Sequence, residues 1–117
     1  MSKTSMALIA KFLMTFVAAW ISFGLIDSTA FSGILSVAIA GTVLNYLIGD
    51  LFILPKFGNL VASVGDGLMA ALTAYVFDLI MNTFNTSLTG LFIFALIVAI
   101  AEYFFHIYLL KSEKVAP

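Results

Sequence analysis

Residues 41–67 read GTVLNYLIGDLFILPKFGNLVASVGDG. Two apolar stretches meet at Pro55-Lys56-Phe57-Gly58-Asn59. Proline cannot continue a helix, and glycine and asparagine tolerate positive φ, so the pentapeptide reads as a turn that ends one helix and starts the next. Asp50 and Asp66 each lie eight residues from Gly58, one in each arm. Equal spacing from a hairpin puts them at equal depth on adjacent antiparallel helices, about 6–10 Å inside the hairpin end at 1.5 Å per residue. The length of the arms then decides the fold. A bilayer core about 30 Å thick needs about 20 mainly apolar residues in a helix, and both arms extend that far.

Working outward, four apolar stretches qualify as spans: 5–26, 31–54, 60–81 and 89–110. Asp27-Ser28-Thr29 supplies turn and N-cap chemistry between the first two, and Asn82-Thr83-Phe84-Asn85-Thr86-Ser87 separates the last two. Asn85-Thr86-Ser87 also matches a glycosylation acceptor, but reads as loop chemistry. Connections of roughly 4–8 residues make sequential helices antiparallel neighbours. The sequence therefore predicts a single all-α domain over residues 1–117, an integral membrane four-helix bundle running up-down-up-down. Composition agrees: 63% of the residues are hydrophobic, 9% are charged, and mean hydropathy is +1.19. A soluble domain carries about 25% charged residues, and a chain this small has too little interior to hide the difference. The partner implied for most of the surface is a lipid bilayer.

The lysines orient the bundle. Lys3 and Lys11 lie at the N-terminal end, Lys56 in the middle turn, and Lys111 and Lys114 at the C-terminal end, while the other two loops have none. With four spans these regions share one side, and the positive-inside rule makes that side cytoplasmic, both termini included. A cleaved signal peptide, with Ser28-Thr29-Ala30 as its cleavage site, is the competing reading of the first span. Lys11 interrupts the apolar run and the stretch is long enough to cross, which favours a true span.

Small residues suggest the packing. Gly67, Ala71, Ala74 and Asp78 share a face of the third span, and Gly41, Asn45 and Gly49 form a ridge on the second. These two helices are expected to make the tightest contact in the bundle. The fourth span, with Phe92, Phe94, Phe104 and Phe105, reads as more lipid-facing. Tyr108 fits one interfacial belt, and Trp20 and Tyr75 the other.

Ionisable residues within spans are costly and each needs a reason. Lys11, Asp50, Asp66, Glu102 and His106 all fall in the cytoplasmic half, with Asn45 nearby and Asp78 alone toward the outer end. Glu102 and His106 share a face at i, i+4 spacing. All four helices thus contribute to one layer: Lys11, Asn45, Asp50, Asp66, Glu102 and His106. Full ionisation with neutral histidine gives three carboxylates against one lysine, a net charge of −2. A low-dielectric layer relieves that charge by holding a proton or a cation. Lys56 or Lys111 could also snorkel toward it. Two readings follow. The layer is either a site for a proton, a cation or a small polar solute, in a binding or transport component, or glue in a non-catalytic interaction protein.

Other classes are excluded on chemical grounds. Without cysteine there is no disulfide, thiolate metal site or cysteine nucleophile. One histidine cannot build a His-rich zinc or iron site, and no metal or cofactor is expected. Without arginine and with a net charge of −1, nucleic acid is not expected as a partner. The pairs Gly49-Asp50 and Gly65-Asp66 imitate an intramembrane aspartyl protease, but four spans leave little room for a substrate helix. The chain is not expected to be an enzyme. Four short-looped spans rarely enclose a transport path alone, so transport implies a homo-oligomer, and an accessory role implies a larger membrane partner.

The stretch 45–59, NYLIGDLFILPKFGN, followed by Asp66-Gly67, resembles the hallmark of the YndM-like family, small membrane proteins of Gram-positive bacteria grouped as a domain of unknown function. Four-span hydropathy along essentially the whole chain fits as well. The resemblance implies the fold and a bacterial plasma membrane as its host, and it implies no activity or site residues. Members of that family often carry a longer polar C-terminal tail.

Overall fold

The computed structural model describes residues 3–27, 29–81 and 86–111. Four helices are long and apolar enough to cross a membrane: Ser5–Leu25, Phe31–Phe57, Asn59–Ile80 and Leu88–Tyr108. They match the four predicted spans within a few residues. Successive helices run antiparallel. The start of the first, the hairpin joining the second and third, and the end of the fourth lie together at one end of the bundle.

The main departure is at Pro55. Its helix does not stop there but runs on to Phe57 and ends at Gly58, where φ is +87°. The reason is a change of pitch. The second span is α-helical over Phe31–Leu44, π-helical over Asn45–Ile53, and α-helical again over Leu54–Phe57. Pro55 falls in the first turn of that last segment, where a missing N–H costs no intrahelical bond in the new register. Gly58 closes the turn by donating its N–H to the Leu54 carbonyl at 3.1 Å. A shorter π-helical stretch, Trp20–Leu25, ends the first span.

The end opposite the hairpin is tied by caps, with a different partner from the one read in the sequence. Ala30 occupies the N-cap of the second span and makes no side-chain cap bond. Asp27 instead reaches the fourth span: Ser87 donates its N–H to Asp27 Oδ2 at 3.0 Å and its hydroxyl to Oδ1 at 2.6 Å. Ser87 Oγ in turn accepts from the Gly90 N–H at 2.9 Å, capping that helix. Asp78 accepts from the Thr86 hydroxyl at 2.6 Å and from its N–H at 3.2 Å. Ser28 and residues 82–85 lie outside the described residues.

The closest helix pairing also differs from expectation. The most extensive contact joins the third and fourth spans. At Gly67 a side chain would run into the Ala95 carbonyl and the Ala99 methyl, so the two backbones touch through that glycine. The ridge on the second span divides its contacts, with Gly41 against Thr15 of the first span and Gly49 against Asp66 of the third. The fourth span has the smallest buried share, as its composition suggested, and Phe92 and Phe104 face outward. Phe94 does not: it is fully buried, edge-on to Phe23 with ring centroids 4.9 Å apart. Trp20, Tyr75 and Tyr108 are about half exposed, as belt residues would be.

Two apolar clusters make up the described core. The larger joins Ala18, Phe23, Ile34, Val37, Ala70, Ala74, Phe94 and Val98 toward the end opposite the hairpin. The smaller joins Ala7, Leu54 and Ala62 near the hairpin, with Phe105 and Ile53 against it. Along every helix, the residues between these clusters belong to a polar layer.

Candidate functional site

The structure brings all six predicted layer residues together, and each is fully buried. Lys11 comes from the first span, Asn45 and Asp50 from the π-helical part of the second, Asp66 from the third, and Glu102 and His106 from the fourth. In an α-helix Asn45 and Asp50, five residues apart, would point about 140° away from each other. The i→i+5 bonding of a π-helix stacks them instead, so both enter the bundle. Gly49 between them leaves room for the Asp66 carboxylate, and a Cβ at that position would force the carboxylate to move. Gly65, by contrast, has only Ile53 near it, at 3.9 Å.

Lys11 organises one side of the layer. Its Nζ lies 2.8 Å from each Glu102 oxygen and 2.9 Å from Asp50 Oδ2, and it stands over the Phe105 ring at 5.2 Å. Asn45 Nδ2 donates to Glu102 Oε2 at 3.4 Å. His106 organises the other side. Its Nε2 lies 3.1 Å from Asp50 Oδ1, 3.1 Å from Asp66 Oδ2 and 3.6 Å from Glu102 Oε1. Asp50 and Asp66 thus share a neighbour. A ring nitrogen carries at most one hydrogen, yet three carboxylates face this one. Among the described residues Asp66 has His106 Nε2 as its partner, at 3.1 Å from Oδ2, and Asn45 Oδ1 has no hydrogen-bond partner.

Two participants were not anticipated. Asn59 Nδ2 donates to the Tyr103 carbonyl at 3.0 Å, which turns Oδ1 toward His106 Nδ1 at 2.9 Å. Ser63 donates to the same Asn59 oxygen at 2.9 Å and lies 3.2 Å from Nδ1. Acceptors face both ring nitrogens, the Asn59 oxygen at Nδ1 and carboxylates at Nε2, so either nitrogen can carry a proton. The signal was present in the sequence: Asn59, Ser63 and Asp66 are spaced i, i+4, i+7 and share one helical face. Taken singly, Asn59 is turn chemistry and Asp66 an acid; the shared face links them through Ser63. Lys56 takes no part in the layer; its Nζ sits over the Phe52 ring at 4.2 Å.

Asp50, Asp66, Glu102 and His106 each offer a ligand atom, and the four atoms lie within 4.8 Å of one another. One histidine does not make a His-rich site, but the expectation of no metal left out its combination with Glu102 on the same helix and two carboxylates from other helices.

Fold and site define a class: a small all-α integral membrane protein whose four spans close around a buried charged layer. The chain belongs to the family described as "Protein of unknown function (DUF2512)", which matches residues 2–115. It is similar to the "Uncharacterized membrane protein YndM" of Bacillus subtilis (strain 168), with 29% identity over 111 residues. That alignment covers 94% of this chain and 62% of the relative, so the chain spans less than two thirds of the relative's length. No solved structure matches.

Proposed function

We propose that this chain is a membrane-embedded binding component, without catalytic activity, whose buried layer holds a small cation. Asp66 carries the reading: it is fully buried, Lys11 pairs with Glu102 and Asp50 rather than with it, and its partner among the described residues is His106 Nε2 at 3.1 Å, shared with the other two carboxylates. Buried polar groups kept only to join helices are normally satisfied, whereas a carboxylate that shares its partner with two others is suited to a positively charged ligand. A net charge of −2, with Lys11 charged and His106 neutral, favours the same conclusion. A bacterial plasma membrane as host is supported by the Bacillus relative. If the bound cation is also carried across, a second copy of the chain is expected to complete the path, and native mass in mild detergent reads this directly.

One observation favours a purely structural layer. Lys11 already bonds both Glu102 oxygens and one Asp50 oxygen, so two of the three carboxylates have a built-in cation. Ligand-linked stability separates the two readings. A cation that binds only the folded state stabilises it by about 2.7 kcal/mol at 100 times its Kd. Melting the detergent-solubilised protein with chloride salts of mono- and divalent metals should raise the midpoint for at least one class, and Asp66→Asn should abolish the effect. A midpoint indifferent to every cation would favour the structural reading.

A further inference from the structure

His106 is held as metal-binding histidines are held. Its Nδ1 faces the Asn59 oxygen at 2.9 Å, and Asn59 is itself fixed by the Tyr103 carbonyl and by Ser63. With the ring proton on Nδ1, that partner accepts it and the Nε2 lone pair is free for an ion among the carboxylates, the usual arrangement around an imidazole ligand. We propose that Asp50, Asp66, Glu102 and His106 Nε2 bind one divalent transition-metal cation, of the zinc kind, in a four-coordinate site with one nitrogen and three oxygens. The proposal rests on the reading of the layer as a cation site and names the class of cation.

Geometry supports the coordination number. A tetrahedron with metal–ligand bonds of about 2.0–2.1 Å has edges of about 3.3–3.4 Å. The three edges from Nε2 measure 3.1, 3.1 and 3.6 Å, on both sides of that value. The remaining pairs lie within 4.8 Å, so modest side-chain movement closes the set. Charge supports the valence. Three carboxylates, Lys11 and a neutral imidazole sum to −2; a divalent ion brings the layer to zero, and a monovalent one leaves it at −1. Burial makes that difference matter. Donor type supports the metal: imidazole suits zinc, iron and their neighbours, whereas magnesium and calcium prefer all-oxygen sets.

The surrounding residues fit the same role. Lys11 bonds Asp50 through Oδ2, leaving Oδ1 turned to the site, and it also holds Glu102. Asp66 is not paired with Lys11 and shares His106 Nε2, at 3.1 Å, with the other two carboxylates. Asn59 is half-buried at the hairpin end of the third span, so the Nδ1 side of His106 lies next to the end of the bundle.

The experiment measures metal content directly. The full chain in mild detergent is stripped with a chelator and dialysed against Zn2+, and metal per protein is counted by mass spectrometry. The expected result is one ion per chain, lost in Asp66→Asn and His106→Gln and retained in Asp78→Asn at the opposite end. Asn59→Ala keeps all four ligands and should weaken binding about 10–100-fold, as loss of a ligand's outer partner does. It also keeps the proposal testable should Asp66→Asn fail to fold. Stabilisation by Na+ or K+ with no divalent ion bound would overturn the metal site and leave the layer a cation site. Binding of neither class would overturn both. A bound metal indifferent to Asp66→Asn, His106→Gln and Asn59→Ala would place the ion elsewhere and sink the proposal.

Discussion

Replacing Lys11 by methionine keeps most of the side chain's length and volume but removes its charge. In the native layer the ammonium makes three contacts of 2.8–2.9 Å with Glu102 and Asp50, and all three side chains are fully buried. Without it, two carboxylates stay in the bundle with His106 as the remaining basic group within reach. Removing one partner of a buried pair costs about 3–5 kcal/mol, against about 0–1 kcal/mol for an exposed pair. The volume change is small, so packing adds little. The unfolded chain in a membrane also finds polar partners, which pulls the figure toward the lower end, about 3 kcal/mol. Reversible unfolding from mixed micelles with rising SDS fraction, followed by helical circular dichroism, measures it. The double variant Lys11→Met/Glu102→Gln should be less destabilised than the two single variants added together, by 1 kcal/mol or more on the order of couplings between contacting residues. A Lys11→Met variant within about 1 kcal/mol of wild type, with no coupling to Glu102, would refute the reasoning: the lysine would then behave as an exposed one.

Three further outcomes follow from the fold. Gly67→Ala drives a methyl into the Ala95 carbonyl and should cost about 1–3 kcal/mol in the same unfolding assay, whereas Gly65→Ala, with open space around it, should be close to neutral; equal effects would argue against the close approach of the third and fourth spans. Ser87→Ala removes both the cap of the fourth helix and a bond to Asp27, and should cost about 0.5–2 kcal/mol, read as a lower melting midpoint. Reporter fusions after Lys114 and within residues 83–87 should be active on the cytoplasmic and outer sides respectively; an external C-terminus would defeat the orientation drawn from the lysines.

The four helices were legible because membrane insertion depends on length and hydropathy, which are summed along the chain and tolerate local error. The layer was legible for a related reason. An ionisable residue in hydrocarbon must face inward, so depth alone brings Lys11, Asp50, Asp66, Glu102 and His106 to one level. What depth does not determine is angle. The ridge drawn through Gly41, Asn45 and Gly49 assumes a constant 3.6-residue pitch, and on that pitch Asp50 points away from Asn45. The structure resolves the conflict by changing the pitch over Asn45–Ile53, and the same change lets the helix pass Pro55. No periodicity analysis shows such a change, because the side chains that benefit lie on other helices: Glu102 holds Asn45, Lys11 and His106 hold Asp50, and Asp66 fills the space above Gly49. Nine residues of π-helix are rare, since most such stretches are single-turn bulges, frequently at functional sites. Here the distortion falls where two polar side chains must enter one buried layer. The arrangement of that layer and the departure from α-helical pitch are therefore one feature, and a variant that restores regular pitch by deleting one residue between Leu47 and Ile53 should lose the layer while keeping the span.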